Sequence, residues 1–74
     1  MDIMSLLSTT LGIPQEQLSE SLSMEQVDIW DSLTHMDLIA AIENEYRIEL
    51  TADDIVAMTD VGSILRILKQ RGIN

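Results

Sequence analysis

The fold this sequence predicts is an all-α bundle of three principal helices and one short helix, with a long loop between helices 1 and 2. Three observations predict it. Apolar residues recur at helical spacing in three separate segments, and capping residues stand at or near their starts. Only two aromatic residues, Trp30 and Tyr46, accompany the Leu, Ile, Val and Met that would form the core. At 74 residues the chain has room for a single domain, 1–74, and one of this size hides only about 60% of its unfolded surface.

The first helix should run from an Asp2 cap to Thr10 or Leu11, because Ile3, Leu6, Leu7 and Leu11 fall on one face. Gly12 with Pro14 just beyond is a stop signal. From Pro14 to Trp30 the chain is polar, with Leu18, Leu22, Val27 and Ile29 as sparse anchors. A connection of that length needs such pins, and the expectation is an ordered crossover with one short turn of helix. The second helix should span Ser32 to Tyr46. The short third helix follows Thr51, whose spacing to Asp54 is that of a capping box. It offers Ile55, Val56 and Met58 to the core and should be the least stable element. The last helix starts near Thr59 or Asp60 and runs to Gln70, with Val61, Ile64, Leu65 and Leu68 as its buried stripe and Gly72 ending it. Arg66, Lys69 and Arg71 gather at its negative end.

Charge narrows the function. Thirteen Asp and Glu against four Lys and Arg leave a net charge of −9. Such a surface repels nucleic acid and anionic lipid and draws basic protein patches towards it. Cysteine is absent, so the chain can build no disulfide, thiolate metal site or thiol nucleophile. No apolar run is long enough for a signal peptide or membrane span. A free-standing cytoplasmic monomer beginning at Met1 is expected.

The helix after Ser32 is apolar on two sides. At roughly 100° per residue, Leu38, Ile39, Ile42 and Tyr46 form one face, which a thin bundle must turn inward. Leu33, Met36 and Ala40 recur at i, i+3 and i+7 on another. A single helix cannot bury both, so the second strip should stay exposed, headed by Ser32 and flanked by Asp37, Glu43 and Asn44. It suits a partner with an apolar groove ringed by Lys or Arg. Trp30 and His35 have the spacing of a hydrophobic staple around an Asp31 cap.

Ser32 itself opens the helix, where backbone N–H groups favour phosphate. It reads as a site to be modified. A Ser32–His35–Asp37 nucleophile system fails on geometry, because Asp37 projects nearly opposite His35 on the helix and cannot orient its ring. Catalysis by the chain itself is therefore not expected. The acidic runs Glu43-Asn44-Glu45 and Asp53-Asp54 lack the ligand spacing and central Gly of a calcium loop, so no specific metal is expected either.

Asp31-Ser32-Leu33, followed by Ala40-Ala41-Ile42-Glu43-Asn44-Glu45-Tyr46, the Ile48-Glu49-Leu50 link and Thr59-Asp60-Val61-Gly62-Ser63-Ile64, resembles the acyl carrier protein family over nearly the whole chain. The resemblance implies a 4′-phosphopantetheine arm, placed on Ser32 by a separate phosphopantetheinyl transferase from coenzyme A. The arm's thiol would carry acyl groups as thioesters between partner enzymes with basic docking patches. It implies that Asp31 caps the helix and helps present the serine. Leu33, Met36 and Ala40 would be apolar partner contacts, and Asp37 and Glu43 acidic ones. Carriers of primary fatty-acid synthesis commonly have a small residue just before the Asp-Ser pair, where this chain has Ile29-Trp30. Fatty-acid synthesis and a specialised stand-alone role both stay open. Aminoacyl or peptidyl carriage is less favoured, since no glycines precede the serine. The rival from another class is an acidic helical adaptor with no prosthetic group.

Overall fold

The computed structural model describes residues 2–73. Its helices are α1 (Ile3–Leu11), α2 (Ser32–Tyr46), α3 (Ala52–Ala57) and α4 (Val61–Gln70). Each start has a side-chain cap. Asp2 accepts from the Ser5 N–H, Asp31 from Thr34, Thr51 from Asp54 and Asp60 from Ser63. A carboxylate or hydroxyl in that position satisfies a donor that the helix cannot. In α3 the box is reciprocal: the Thr51 N–H donates back to Asp54 at 3.2 Å. At the far ends, Gly12 closes α1 at φ 70°, and Arg47 takes the same left-handed conformation after α2 at φ 55°.

α1 packs on α2, and α3 on α4. The core joins Leu6, Leu7 and Leu11 of α1 to Leu38, Ile39 and Ile42 of α2 and Val61, Ile64, Ile67 and Leu68 of α4, with Trp30, Leu50 and Met58 from the connections. Among the described residues no helix is long and apolar enough to cross a membrane.

The helix limits match those read from the sequence, while several inward residues differ. Ile67 is buried, and Leu65 is only half-buried. Val56 is 75% exposed rather than facing the core, because a helix of barely two turns that turns Ile55 inward must turn its neighbour out. Ile29 is likewise no anchor at 55% exposed; Trp30, at 1%, takes that role.

The crossover holds two short 3-10 turns, Gln15–Gln17 and Met24–Gln26, rather than one. It is pinned by backbone bonds that a hydropathy pattern cannot reveal. The Met24 N–H donates to Thr59 O, the Val61 N–H to Leu22 O and the Gly62 N–H to Glu20 O, each at 2.9 Å. Ser23 and Asp60 thereby form an isolated antiparallel bridge. Arg71 ties the other end of α4 to α3, donating to Glu49 O at 2.8 Å and pairing with Asp54.

The Gly62 contact is closest. A Cβ there would lie 3.0 Å from the Glu20 carbonyl oxygen, which itself receives the Gly62 N–H. Gly62→Ala should therefore destabilise the fold by about 1 kcal/mol in urea titration, the crowding outweighing the helix-propensity gain of similar size. A stabilised variant would show that the crossover gives way freely.

Candidate functional site at the head of α2

The chain approaches α2 through tight turns, with the Trp30 N–H on Val27 O at 3.0 Å and the Asp31 N–H on Ile29 O at 2.9 Å. Asp31 is extended (φ −97°, ψ −173°) and its Oδ1 receives the Thr34 N–H at 2.9 Å. That bond holds the Asp31 carboxyl below the usual carboxylate range. One of its two oxygens is thus committed to the Thr34 amide. Ser32 is the first residue of α2, exposed, and its hydroxyl makes no hydrogen bond among the described residues. The first-turn amides of α2 lie at the same helix end. An oxygen that is open, unpartnered and beside a positive helix end fits a phosphodiester.

Beside Ser32 the outer face of α2 carries Leu33 at 76% and Met36 at 52% exposed, with Ala40 exposed further along. The crossover covers neither Leu33 nor Met36. Asp37 is exposed. Glu43 is half-buried, and its Oε2 accepts the Leu50 N–H at 2.8 Å, so this acid also helps close the turn after α2. Ile29 and Val56 are further large apolar side chains in solvent, although hydropathy and spacing predict both to be inward.

Beneath the site, the Trp30 indole N–H donates to His35 Nδ1 at 3.1 Å. Indole is only a donor, so Nδ1 must be bare and the proton must sit on Nε2. Nε2 in turn donates to the Ile55 carbonyl oxygen of α3 at 2.8 Å. The rings are tilted by 34°, with centroids 6.2 Å apart. The staple spacing seen in sequence is therefore a buried hydrogen-bonded relay. It joins the crossover, α2 and α3, and leaves neither imidazole nitrogen for Ser32.

With this geometry in place, comparison with known proteins places the chain. A family model described as "Phosphopantetheine attachment site" matches residues 2–68. The acyl carrier protein of Buchnera aphidicola is 35% identical over 69 residues, covering 92% of this chain and 87% of that protein. That of Chlamydia muridarum is 26% identical, covering 95% and 91%. A non-reducing polyketide synthase of Penicillium brasilianum is 30% identical over 86% of this chain, which spans only 2% of the synthase. The solution structure of a holo acyl carrier protein from Geobacter metallireducens shares the fold, with TM-score 0.80, 24% identity, and 92% and 78% coverage. The chain belongs to the phosphopantetheine-attachment family of carrier proteins, a family whose prosthetic group is covalent 4′-phosphopantetheine.

The Asp31 cap has a proton-linked signature. The carboxyl's folded value lies below its ordinary 3.8. Its contribution is therefore full above the unfolded value and lost as pH falls through the folded one. Asparagine caps without titrating. The Tm of wild type minus that of Asp31→Asn should be flat between about pH 7 and pH 5 and fall towards about pH 2; a difference flat throughout would show that the cap bond does not form in solution.

Proposed function

We propose that this chain is a non-catalytic acyl carrier in which Ser32 bears 4′-phosphopantetheine. The observation that carries the reading is the unpartnered, exposed Ser32 hydroxyl at the first position of α2, within a chain of the phosphopantetheine-attachment family. In loading, Ser32 Oγ attacks the phosphoryl group of coenzyme A that joins the pantetheine arm to the nucleotide. A phosphodiester forms, the bond to adenosine 3′,5′-bisphosphate breaks, and the serine proton leaves to the transferase. When bound, the group supplies the thiol that a chain without cysteine lacks.

The protein's own part is recognition and tethering. Asp31 holds the helix start, Leu33, Met36 and Ala40 give apolar contact, and Asp37 and Glu43 border it with negative charge. Partners are a phosphopantetheinyl transferase and acyl-processing enzymes with basic docking faces, met in turn by a cytoplasmic, single-domain monomer. A tethered cargo reaches each active site at high effective concentration without a strong dock. The named relatives include stand-alone acyl carrier proteins and polyketide synthases, which supports fatty-acid or specialised acyl synthesis.

Intact mass after incubation with coenzyme A and a broad-specificity transferase tests the assignment. One phosphopantetheine should be gained by wild type and none by Ser32→Ala; folded wild type that gains nothing would leave the adaptor reading in its place. Reversing charge with Asp37→Lys should slow loading several-fold at low ionic strength. That difference should shrink as salt shortens the screening length to about 3 Å at 1 M. Equal rates at low salt would remove Asp37 from the dock.

A further inference from the structure

The relay beneath Ser32 is more specific than packing requires. Two elements far apart in sequence meet on one imidazole, with Trp30 Nε1 on Nδ1 and Ile55 O on Nε2. Trp30 stands immediately before the Asp31 cap. His35 is one turn into α2, and its own N–H closes that turn on Asp31 O at 2.8 Å. Residues 30 to 35 thus form a loop closed twice, once through the backbone at Asp31 and once through the side chains of Trp30 and His35. Ser32 lies inside that closed segment. The same imidazole holds α3 through Ile55, the residue before exposed Val56.

We propose that Trp30 and His35 are positioning residues for the modification of Ser32. Their side-chain bond fixes the angle at which Asp31 and Ser32 stand out from the bundle. The His35–Ile55 bond carries α3 along, so that a visiting enzyme meets Ser32, Leu33 and Val56 as one rigid surface. This rests on Ser32 being the attachment site, and deepens that reading.

The physical case is one of alternatives. An apolar pair at these positions would bury as much surface but would slide; a donor–acceptor pair at 3.1 Å admits one register. Losing one partner leaves the other's polar atom buried and unpaired, which the chain relieves by moving one of the two elements. Movement at residue 30 or 35 is movement of Ser32.

Three substitutions separate positioning from bulk stability. Trp30→Phe removes the indole donor and keeps a ring. His35→Leu removes both bonds. His35→Gln keeps one donor and one acceptor and serves as the conservative rescue. With wild type loaded by the transferase as a reference, each variant is assayed at a temperature where circular dichroism shows it folded. Trp30→Phe and His35→Leu should each lower kcat/KM for loading about five-fold, the equilibrium factor of one neutral hydrogen bond, chiefly through KM. Their double variant should be no worse than His35→Leu alone, because that substitution already removes the bond Trp30→Phe cuts. His35→Gln should recover most of the rate. Amide exchange at Thr34 and His35 should quicken in the two impaired variants, and the imidazole 15N shifts of wild type should report the Nε2–H tautomer. Leu7→Val, a core change on α1 that lowers stability without touching the relay, should load like wild type.

Three outcomes overturn the inference: folded Trp30→Phe and His35→Leu loading at the wild-type rate, Leu7→Val slowed as much as they are, or an Nδ1–H tautomer. If His35→Leu does not fold, Trp30→Phe and His35→Gln decide alone, by a slowed and a near-normal rate respectively. Wild type that takes no phosphopantetheine fails the attachment reading itself, a result distinct from loaded variants that ignore the relay.

Discussion

The neutral imidazole of His35 is the constraint on which the presentation of α2 depends. It is buried, and it accepts from one element and donates to another. A buried polar group with one bond missing is costly, so such a group specifies arrangement more sharply than apolar packing does. Here the arrangement specified is the angle between the incoming chain, α2 and α3. Those three elements bear Ile29, Leu33, Met36 and Val56, the large apolar side chains left in solvent. A buried polar link thus joins the three elements that carry these exposed side chains.

That exterior follows from size. A bundle this thin offers α2 one inward face, and Leu38, Ile39 and Ile42 fill it together with His35. The second apolar strip has nowhere to go. For the carrier proposed above, unspent apolar area beside the Ser32 hydroxyl would be useful, and the acidic surroundings would restrain self-association. The four cations are outnumbered by thirteen acids; Arg71 pairs with Asp54 and donates to Glu49 O, and Arg66 donates to Ser63 at 3.1 Å. They do little to soften the negative field that a basic partner would meet.

Helix starts and stops were legible because they are local chemistry. Asp2, Asp31, Thr51 and Asp60 each bond the amide three residues on in their own helix, and Gly12 meets a left-handed turn. Periodicity likewise separated the two faces of α2. Illegible were the features made by residues far apart in the chain. The backbone bonds from Glu20, Leu22 and Met24 to residues 59–62 involve no side chain, so no residue type announces them. Ile55 accepts from His35 through its carbonyl, again independent of its identity. Trp30 and His35 could be seen as neighbours by spacing. Their donor and acceptor roles needed the second partner, 20 residues away, to be known. The misplacement of Ile29 and Val56 has the same origin: hydropathy states a preference for burial, and only tertiary geometry decides which apolar residue receives it.

The two kinds of information meet at Asp31 and Ser32. Asp31 is explained fully by local capping, and its carboxylate is occupied by the Thr34 amide. It therefore holds the helix start in place. Ser32 has no such local occupation. Its open hydroxyl stands at the mouth of the longest helix, beside a bonded cap and a bonded imidazole. Its position is set by neighbours on both sides while its own oxygen stays uncommitted. A fixed post with a free end is the geometry that covalent attachment by another enzyme requires, since the rigid part supplies recognition and the free part the bond.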